Sequence, residues 1–256
     1  MEKAERPIGV FDSGAGGIST LAALVRELPG ERFVYYGDTL NAPYGTKTTE
    51  EVQRLTRRVV RELEKERIKA LVIACNTATG ASAAMLRSEK DYPVIGMEPA
   101  LKPAEESWKG GEIRVMATPL TLRQEKFQGL MARFGAHAVP QPCPGLMELV
   151  EGERWEEARE YLSGLFASWP LERVDAVVLG CTHYVFLRPM IREMLPDRIL
   201  ITEGNPGTAR QLRRVLEREG LLSPEARGGV SIRTSGDPEQ VLPVMRRLYD
   251  KALQIL

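Results

Sequence analysis

Two cysteines occupy similar places in the chain, each directly after an apolar run. Cys75 lies in the segment IACNTA, and Cys181 lies in LGCTHYV, where His183 follows two residues later. The apolar runs are typical of buried strands, and the residues after them are typical of helix starts. A thiol at a helix N-terminus is favoured as the thiolate, and its pKa can fall well below the ordinary value of about 8.5. The pattern therefore indicates two reactive thiols.

Two matched thiols suit proton transfer at a carbon atom. If a small substrate lies between them, one thiolate can remove a proton while the other thiol returns a proton to the opposite face. This inverts a stereocentre without a cofactor. Three other interpretations are open: two buried cysteines that only fill space, a Cys–His nucleophile pair that leaves Cys75 without a role, and a zinc site. The zinc site would use Cys75, Cys181 and His183, although the chain has no C-x-x-C motif.

Two loops carry polar side chains that could hold a small substrate. DSGAGG, residues 12–17, follows an apolar run and precedes a helical pattern, where backbone N–H groups can bind an anion. Serine stands at the last glycine position of the dinucleotide motif G-x-G-x-x-G, and a P-loop lysine is absent, so neither nucleotide motif fits. GDTLNAPYG, residues 37–45, could equally be a surface turn.

The remaining cysteine and histidine carry weaker signals. Cys143 lies between Pro142 and Pro144 with no acid or base beside it, so we interpret it as structural. His137 begins a predicted strand and is interpreted as a packing or surface residue.

Short apolar runs alternate with longer amphipathic segments, which is typical of parallel strands connected by helices. A helix is predicted over residues 49–67 from its apolar spacing, and Pro29-Gly30 is expected to end the first helix. Eight strands are predicted, at residues 8–11, 33–36, 70–74, 94–97, 113–117, 137–140, 175–179 and 199–201.

The two halves of the chain repeat these elements at a nearly constant offset. Cys181 lies 106 residues after Cys75, and Glu203 lies 105 residues after Glu98. Evenly spaced strands can match by chance, but matched cysteines at matched strand ends favour a true repeat. We therefore predict an α/β fold of two pseudo-symmetric domains, each a small, mostly parallel sheet flanked by helices. The active site is expected in the cleft between them, outside the carboxyl ends of the strands.

The predicted first domain covers residues 1–98 and the second covers residues 99–206. Residues 207–256 have no counterpart inside the repeat, and they are expected to complete the first domain. This tail carries a predicted helix at 210–219, a strand at 231–236 and a helix at 238–253.

The charge balance and the hydropathy of the chain argue against nucleic acids and membranes as partners. Of 256 residues, 35 are Lys or Arg and 35 are Asp or Glu, so no net charge recruits nucleic acid or an anionic membrane. No apolar run approaches the roughly 18 residues of a membrane helix, and the first residues lack a signal-peptide pattern. We therefore expect a cytoplasmic protein with a small-molecule partner.

Six segments, spread over nearly the whole chain, resemble the glutamate racemases of the aspartate/glutamate racemase superfamily. One departure is Val185, where that family usually has proline, and no role is assigned to Thr202 or Glu203. The matching segments are DSGAGG, YYGDTLNAPYG, ACNTA, ATPLT, CPGLMELVEG and GCTHY.

The resemblance implies interconversion of L- and D-glutamate by two cysteines, without pyridoxal phosphate or metal, to supply D-glutamate for peptidoglycan. On the family pattern, Cys75 acts on one enantiomer and Cys181 on the other. Asp12 would assist near Cys75 and His183 near Cys181. Asp38 and Glu151 match supporting acidic positions. A homodimer is also implied.

The resemblance also implies which residues contact the substrate. They are Asp12, Ser13, Tyr44, Gly45, Asn76, Thr77, Thr118, Thr121, Thr182 and His183. Their hydroxyl, amide and backbone groups would hold the carboxylates of glutamate without a fixed arginine. Three rival functions are an aspartate racemase, a decarboxylase or other isomerase with one cysteine, and a two-lobed amino-acid-binding protein that is not an enzyme.

Overall fold

Two parallel β-sheets flanked by helices build the protein, as seen in a computed structural model that describes residues 2–225 and 228–255. The described strands are β1 (Ile8–Asp12), β2 (Arg32–Gly37), β3 (Ala70–Ile73), β4 (Val94–Gly96), β5 (Glu112–Ala117), β6 (Ala138–Pro142), β7 (Val174–Leu179), β8 (Leu200–Glu203) and β9 (Gly229–Thr234).

The helices fill the connections between these strands. They are α1 (Ile18–Glu27), α2 (Thr49–Glu64), α3 (Asn76–Glu89), α4 (Leu101–Glu106), α5 (Pro119–Arg123), α6 (Glu125–Phe134), α7 (Leu146–Glu151), α8 (Trp155–Ala167), α9 (Arg188–Met194), α10 (Asn205–Arg218) and α11 (Pro238–Ile255). Among the described residues, no helix is long and apolar enough to cross a membrane.

The two sheets share one strand order. The first sheet runs β4-β3-β1-β2-β9 and the second runs β6-β5-β7-β8, and every strand pair is parallel. With β5 to β8 matched to β1 to β4, the order 4-3-1-2 occurs in both sheets. The predicted α/β fold with two pseudo-symmetric sheets is confirmed.

The tail of the chain extends the first sheet. β9 pairs with β2 in parallel register, from Arg32 opposite Gly229 to Gly37 opposite Thr234. α11 then packs against α1, which also contacts α10. The domain boundaries given above stay a prediction.

Burial explains the composition of the strands. All residues of β1 and β3 are buried, because helices cover both faces of the sheet, so these strands are continuous apolar runs rather than alternating patterns. β6 contains Pro140 and Pro142, which remove backbone donors, and it lies at a sheet edge where those donors are not needed.

Some helix bounds differ from the prediction. The helix predicted over 49–67 ends at Glu64, and Arg67 adopts a left-handed φ of 53° that takes the chain out of the helix. The helix predicted from residue 210 begins at Asn205, because Pro206 fits a first helical turn, where no backbone donor is needed.

Candidate active site

A small cavity lies where the carboxyl ends of the two sheets meet. It encloses about 300 Å³ of space free of protein atoms. Ten of the predicted site residues line it: Ser13, Tyr44, Gly45, Cys75, Asn76, Thr77, Thr118, Cys181, Thr182 and His183.

Cys75 caps the N-terminus of α3. Its sulfur accepts a hydrogen bond from the backbone N–H of Ala78 at 3.4 Å and lies 3.5 Å from the hydroxyl oxygen of Ser13. Burial, joined by the negative charge of Asp12, nevertheless raises the pKa of the Cys75 thiol to about 12. The expectation that the helix start favours a thiolate is therefore wrong for Cys75, because desolvation outweighs two hydrogen bonds.

Cys181 has a different neighbour. It follows β7 and precedes a 3₁₀ helix, Thr182–Leu187, and its sulfur lies 3.6 Å from Nδ1 of His183. Burial acts to lower the pKa of His183, but its hydrogen bonds with Cys181 and Glu151 and their charges raise it well above the usual value. A protonated imidazole can therefore donate towards the Cys181 sulfur.

Glu151 holds the other side of that imidazole. Its Oε1 lies 2.8 Å from Nε2 of His183 and also accepts the backbone N–H of Ala15 at 2.7 Å. Burial acts to raise the pKa of Glu151, yet His183 and the Ala15 N–H bring it below the usual value. Since Ala15 belongs to the first half of the chain and His183 to the second, Glu151 joins the halves behind the cavity, although it is not among the lining residues.

Asp12 also lies behind the lining. Oδ1 accepts the backbone N–H of Gly14 at 2.7 Å, and Oδ2 accepts the hydroxyl of Thr182 at 3.3 Å. Complete burial raises its pKa to about 6, against the lowering effects of His183 and the Gly14 N–H. Asp12 therefore acts on the cavity through Thr182 and through its charge near Cys75.

The loop after β2 brings Tyr44 and Gly45 to the cavity. The Tyr44 hydroxyl donates to Oδ2 of Asp38 at 2.6 Å, and the Asn41 amide donates to Oδ1 at 2.9 Å. The Asp38 carboxylate thus fixes the loop from behind and does not line the cavity. Gly45 approaches Thr118 so closely that a Cβ at position 45 would lie 2.9 Å from the Thr118 Cβ.

Three threonines join the halves on the opposite side. The hydroxyl of Thr77 lies 3.0 Å from that of Thr118 and 2.8 Å from that of Thr121, and Thr118 donates to Thr121 at 2.9 Å. Thr77 and Thr118 line the cavity, whereas Thr121 supports them from outside it.

Sequence patterns do not indicate two of the lining residues, Met147 and Gly180. Met147 belongs to the segment CPGLMELVEG, but a methionine on a helix carries no signal that separates a cavity wall from a core position. At position 180 a Cβ would lie 2.7 Å from the carbonyl oxygen of Met116, so glycine there permits close packing of β5 and β7.

Cys143 and His137 lie outside the cavity lining. Cys143 is buried, and its backbone carbonyl accepts the Tyr184 hydroxyl at 3.1 Å. His137 stacks on Trp108 with ring centroids 3.6 Å apart and places Nδ1 2.7 Å from Glu105. These placements agree with a structural cysteine and a packing histidine.

The charge of the cavity is set by few groups. His183 is the one residue with a cationic form among the described lining residues, and neither lysine nor arginine joins it. Within residues 2–225 and 228–255, no three side chains of His, Cys, Asp or Glu are arranged to hold a metal ion. The cavity therefore offers two thiols, one imidazole, hydroxyls, an amide and backbone groups.

The chain is similar to proteins of one known family. Residues 8–211 match the model of the Asp/Glu/Hydantoin racemase family. The glutamate racemase of Bifidobacterium animalis subsp. lactis is 47% identical over 253 residues, which cover 96% of this chain and 98% of the relative.

Solved structures agree in fold. The Thermus thermophilus glutamate racemase, solved with β-chloro-D-alanine, matches with a TM-score of 0.82 and 35% identity over 96% of this chain and 94% of that one. The Escherichia coli glutamate racemase, solved with L-glutamate and the activator UDP-MurNAc-Ala, matches with a TM-score of 0.81 and 28% identity over 95% of each chain.

Proposed function

Since the chain belongs to the Asp/Glu/Hydantoin racemase family, and is therefore an isomerase, we propose that it interconverts L- and D-glutamate by proton transfer between two cysteines. One observation carries the proposal. Cys75 and Cys181 come from the ends of the matched strands β3 and β7, and both line one cavity. Two acid–base groups held on either side of one substrate are what inversion at a carbon atom needs.

The chemical step moves one proton at each face of the substrate Cα. A thiolate removes the α-proton, forming an S–H bond and leaving the electron pair on Cα. The other thiol then gives its proton to the opposite face, so its S–H bond breaks and a new Cα–H bond forms. The two sulfurs exchange protonation states, and the reverse reaction restores them.

The surroundings of the two cysteines suggest their starting roles. The pKa of Cys75, raised to about 12, suits the proton donor, and Asp12 lies near it. When the thiolate is at Cys181, Nδ1 of the protonated His183, 3.6 Å from that sulfur, can donate to it. The state described thus suits one enantiomer, and the opposite protonation suits the other.

The polar lining supports an amino-acid dicarboxylate as the substrate. Hydroxyl groups and backbone N–H groups can bind both carboxylates without a fixed arginine. Oδ1 of Asn76 is buried and has no hydrogen-bond partner among the described residues, so it can accept an N–H from a bound ammonium group.

The remaining parts of the proposal rest on the family resemblance. They are the absence of a cofactor, the supply of D-glutamate for peptidoglycan, a location in the cytoplasm and a homodimer. The solved Escherichia coli relative holds L-glutamate, which supports glutamate over aspartate here.

One experiment tests the function. The purified protein is incubated with L-glutamate, and in parallel with L-aspartate, in D2O without added cofactor, and the D-enantiomer and Cα deuterium are measured by chiral chromatography and mass spectrometry. We expect both to form from L-glutamate. If L-aspartate is racemised instead, the substrate assignment is wrong; if neither acid exchanges, the racemase assignment is wrong.

Cysteine variants test the mechanism. Cys75→Ser and Cys181→Ser should each lower racemisation by at least about 100-fold, because serine is a much weaker acid than cysteine. Cys143→Ser is the matched control, since Cys143 is buried but does not line the cavity. Full activity of either catalytic variant would refute the two-cysteine step. If the wild type binds glutamate but does not turn it over, the protein is a binding protein.

A further inference from the structure

A buried polar contact joins α1 to α10 behind the cavity. Asn205 and Ser19 are both fully buried. Nδ2 of Asn205 donates to the hydroxyl oxygen of Ser19 at 3.1 Å, and Oδ1 of Asn205 accepts the hydroxyl of Thr20 at 2.7 Å. Because both ends of the carboxamide have a partner, its orientation is fixed.

Ser19 reaches from this contact to both catalytic segments. Its hydroxyl lies 2.9 Å from the carbonyl oxygen of Gly16 and 3.1 Å from that of Thr182. A serine has one hydroxyl hydrogen, so the two carbonyls share it, while the Asn205 amide occupies a lone pair of the same oxygen. Asn205 therefore directs the Ser19 hydrogen towards Gly16 and Thr182.

The two carbonyls belong to opposite halves of the chain. Gly16 is part of the glycine-rich loop that follows Asp12, and Thr182 lies between Cys181 and His183. The hydroxyl of Thr182 also donates to Asp12 at 3.3 Å. Ser19 thus ties the backbone of the first catalytic segment to that of the second, without itself lining the cavity.

We infer that Ser19 and Asn205 are positioning residues that set the separation of the two catalytic halves, an inference that rests on the proposed racemase function. Inversion needs both sulfurs within reach of Cα at once. Removal and return of a proton on one face needs only one sulfur. A change in the separation therefore slows inversion more than it slows exchange with retention of configuration.

The test compares Ser19→Ala with Ser82→Ala. Ser82 is also fully buried, but its hydroxyl has no hydrogen-bond partner among the described residues, so its substitution removes a similar atom and no tie. At low conversion of L-glutamate in D2O, the amounts of deuterated L-glutamate and of D-glutamate give the ratio of exchange to inversion. Unfolding midpoints in urea check that each variant is folded at the assay temperature.

For Ser19→Ala we expect kcat to fall by about 10- to 100-fold and the ratio of exchange to inversion to rise. KM should change by less than about threefold, because the lining side chains are intact. Ser82→Ala should match the wild type. Equal kcat and equal ratios in the two variants would overturn the inference.

Asn205→Ala is a second variant that tests the same inference, and it can be measured even if Ser19→Ala does not fold. It keeps the Ser19 hydroxyl but releases its direction, so the same ratio should rise to a smaller extent. Thr208→Val is its control, because the Thr208 hydroxyl, among the residues that the structure describes, bonds only to the carbonyl oxygen of Gly204 at the same helix start, at 2.9 Å.

The double variant Ser19→Ala/Asn205→Ala should be no slower than Ser19→Ala alone if Asn205 acts through Ser19. If the two substitutions lower kcat additively, Asn205 does not act through Ser19, and the positioning role inferred for Asn205 is wrong. A wild-type protein that forms no D-glutamate refutes the proposed function itself, which is seen before any variant is compared.

Discussion

Oε1 of Glu151, at the end of α7, lies 2.8 Å from Nε2 of His183, which follows β7. The carboxylate and the imidazole form a buried pair next to Cys181. The same oxygen accepts the N–H of Ala15 from the first half of the chain. This pair therefore has two effects: it keeps His183 protonated, and it holds the glycine-rich loop against the second half.

Glu151→Gln should separate these effects. Glutamine can still accept the Ala15 N–H, but it removes one of the two partners, Cys181 and Glu151, that raise the pKa of His183 against the effect of burial, so that pKa should fall. We expect racemisation to fall on the order of 100-fold and the alkaline limb of the kcat/KM profile to move to lower pH. The measurement is the pH profile together with the NMR titration of ¹⁵N-labelled histidine.

Glu148→Gln is the matched control on the same helix, because Glu148 is exposed. It should leave both the profile and the titration as in the wild type. If His183 titrates in Glu151→Gln as it does in the wild type, Glu151 does not govern its protonation.

Gly16→Ala should abolish activity for a steric reason. A Cβ at position 16 would lie 2.3 Å from Nδ1 of His183, and that ring is buried and held by Glu151, so it cannot move aside. We expect the rate to fall by more than about 100-fold, since small displacements of catalytic groups cost that much.

Gly164→Ala gives the contrast, measured by the same assay and by urea unfolding. Position 164 lies within α8, and, apart from the backbone of its own helix and its chain neighbours, no atom of the described residues lies within 4 Å of an added Cβ. This variant should keep wild-type activity and gain about 0.5–1 kcal/mol of unfolding free energy from the helix propensity of alanine. Wild-type turnover by Gly16→Ala would show that the loop can withdraw from His183.

Much of the fold could be predicted from local pattern. Buried strands of a parallel sheet are apolar throughout, so the runs around β1, β3 and β7 stand out, and the 106-residue spacing of Cys75 and Cys181 exposes the repeat. Helix ends were less predictable, because they depend on a single left-handed residue such as Arg67 or on a proline in the first turn.

The candidate site divides in the same way. The rule that strand carboxyl ends carry ligand sites places both cysteines, whereas Glu151, which holds the lining from behind, is indicated only by resemblance. Met147 and the high pKa of Cys75 depend on tertiary packing and on neighbouring charge. Sequence spacing contains neither.

The raised pKa of Asp12 predicts how the free energy of unfolding depends on pH. Its pKa is raised from 3.8 to about 6 because it is fully buried, so the native state binds this proton more tightly than the unfolded state does. Where the native state holds more protons, stability falls as pH rises. The loss therefore develops between these two pKa values and is fully present above the higher one.

Asp12→Asn cannot ionise and should escape this loss. A difference of about two pKa units corresponds to about 3 kcal/mol, so the variant should gain roughly that much stability relative to the wild type between about pH 4 and pH 8. The measurement is urea unfolding at both pH values, with Asp250→Asn at an exposed site as the matched substitution. Asp12→Asn should also racemise glutamate far more slowly than the wild type does, because the carboxylate near Cys75 is lost. If the stability difference between Asp12→Asn and the wild type does not change with pH, the Asp12 carboxyl titrates alike in the native and unfolded states, and burial does not raise its pKa.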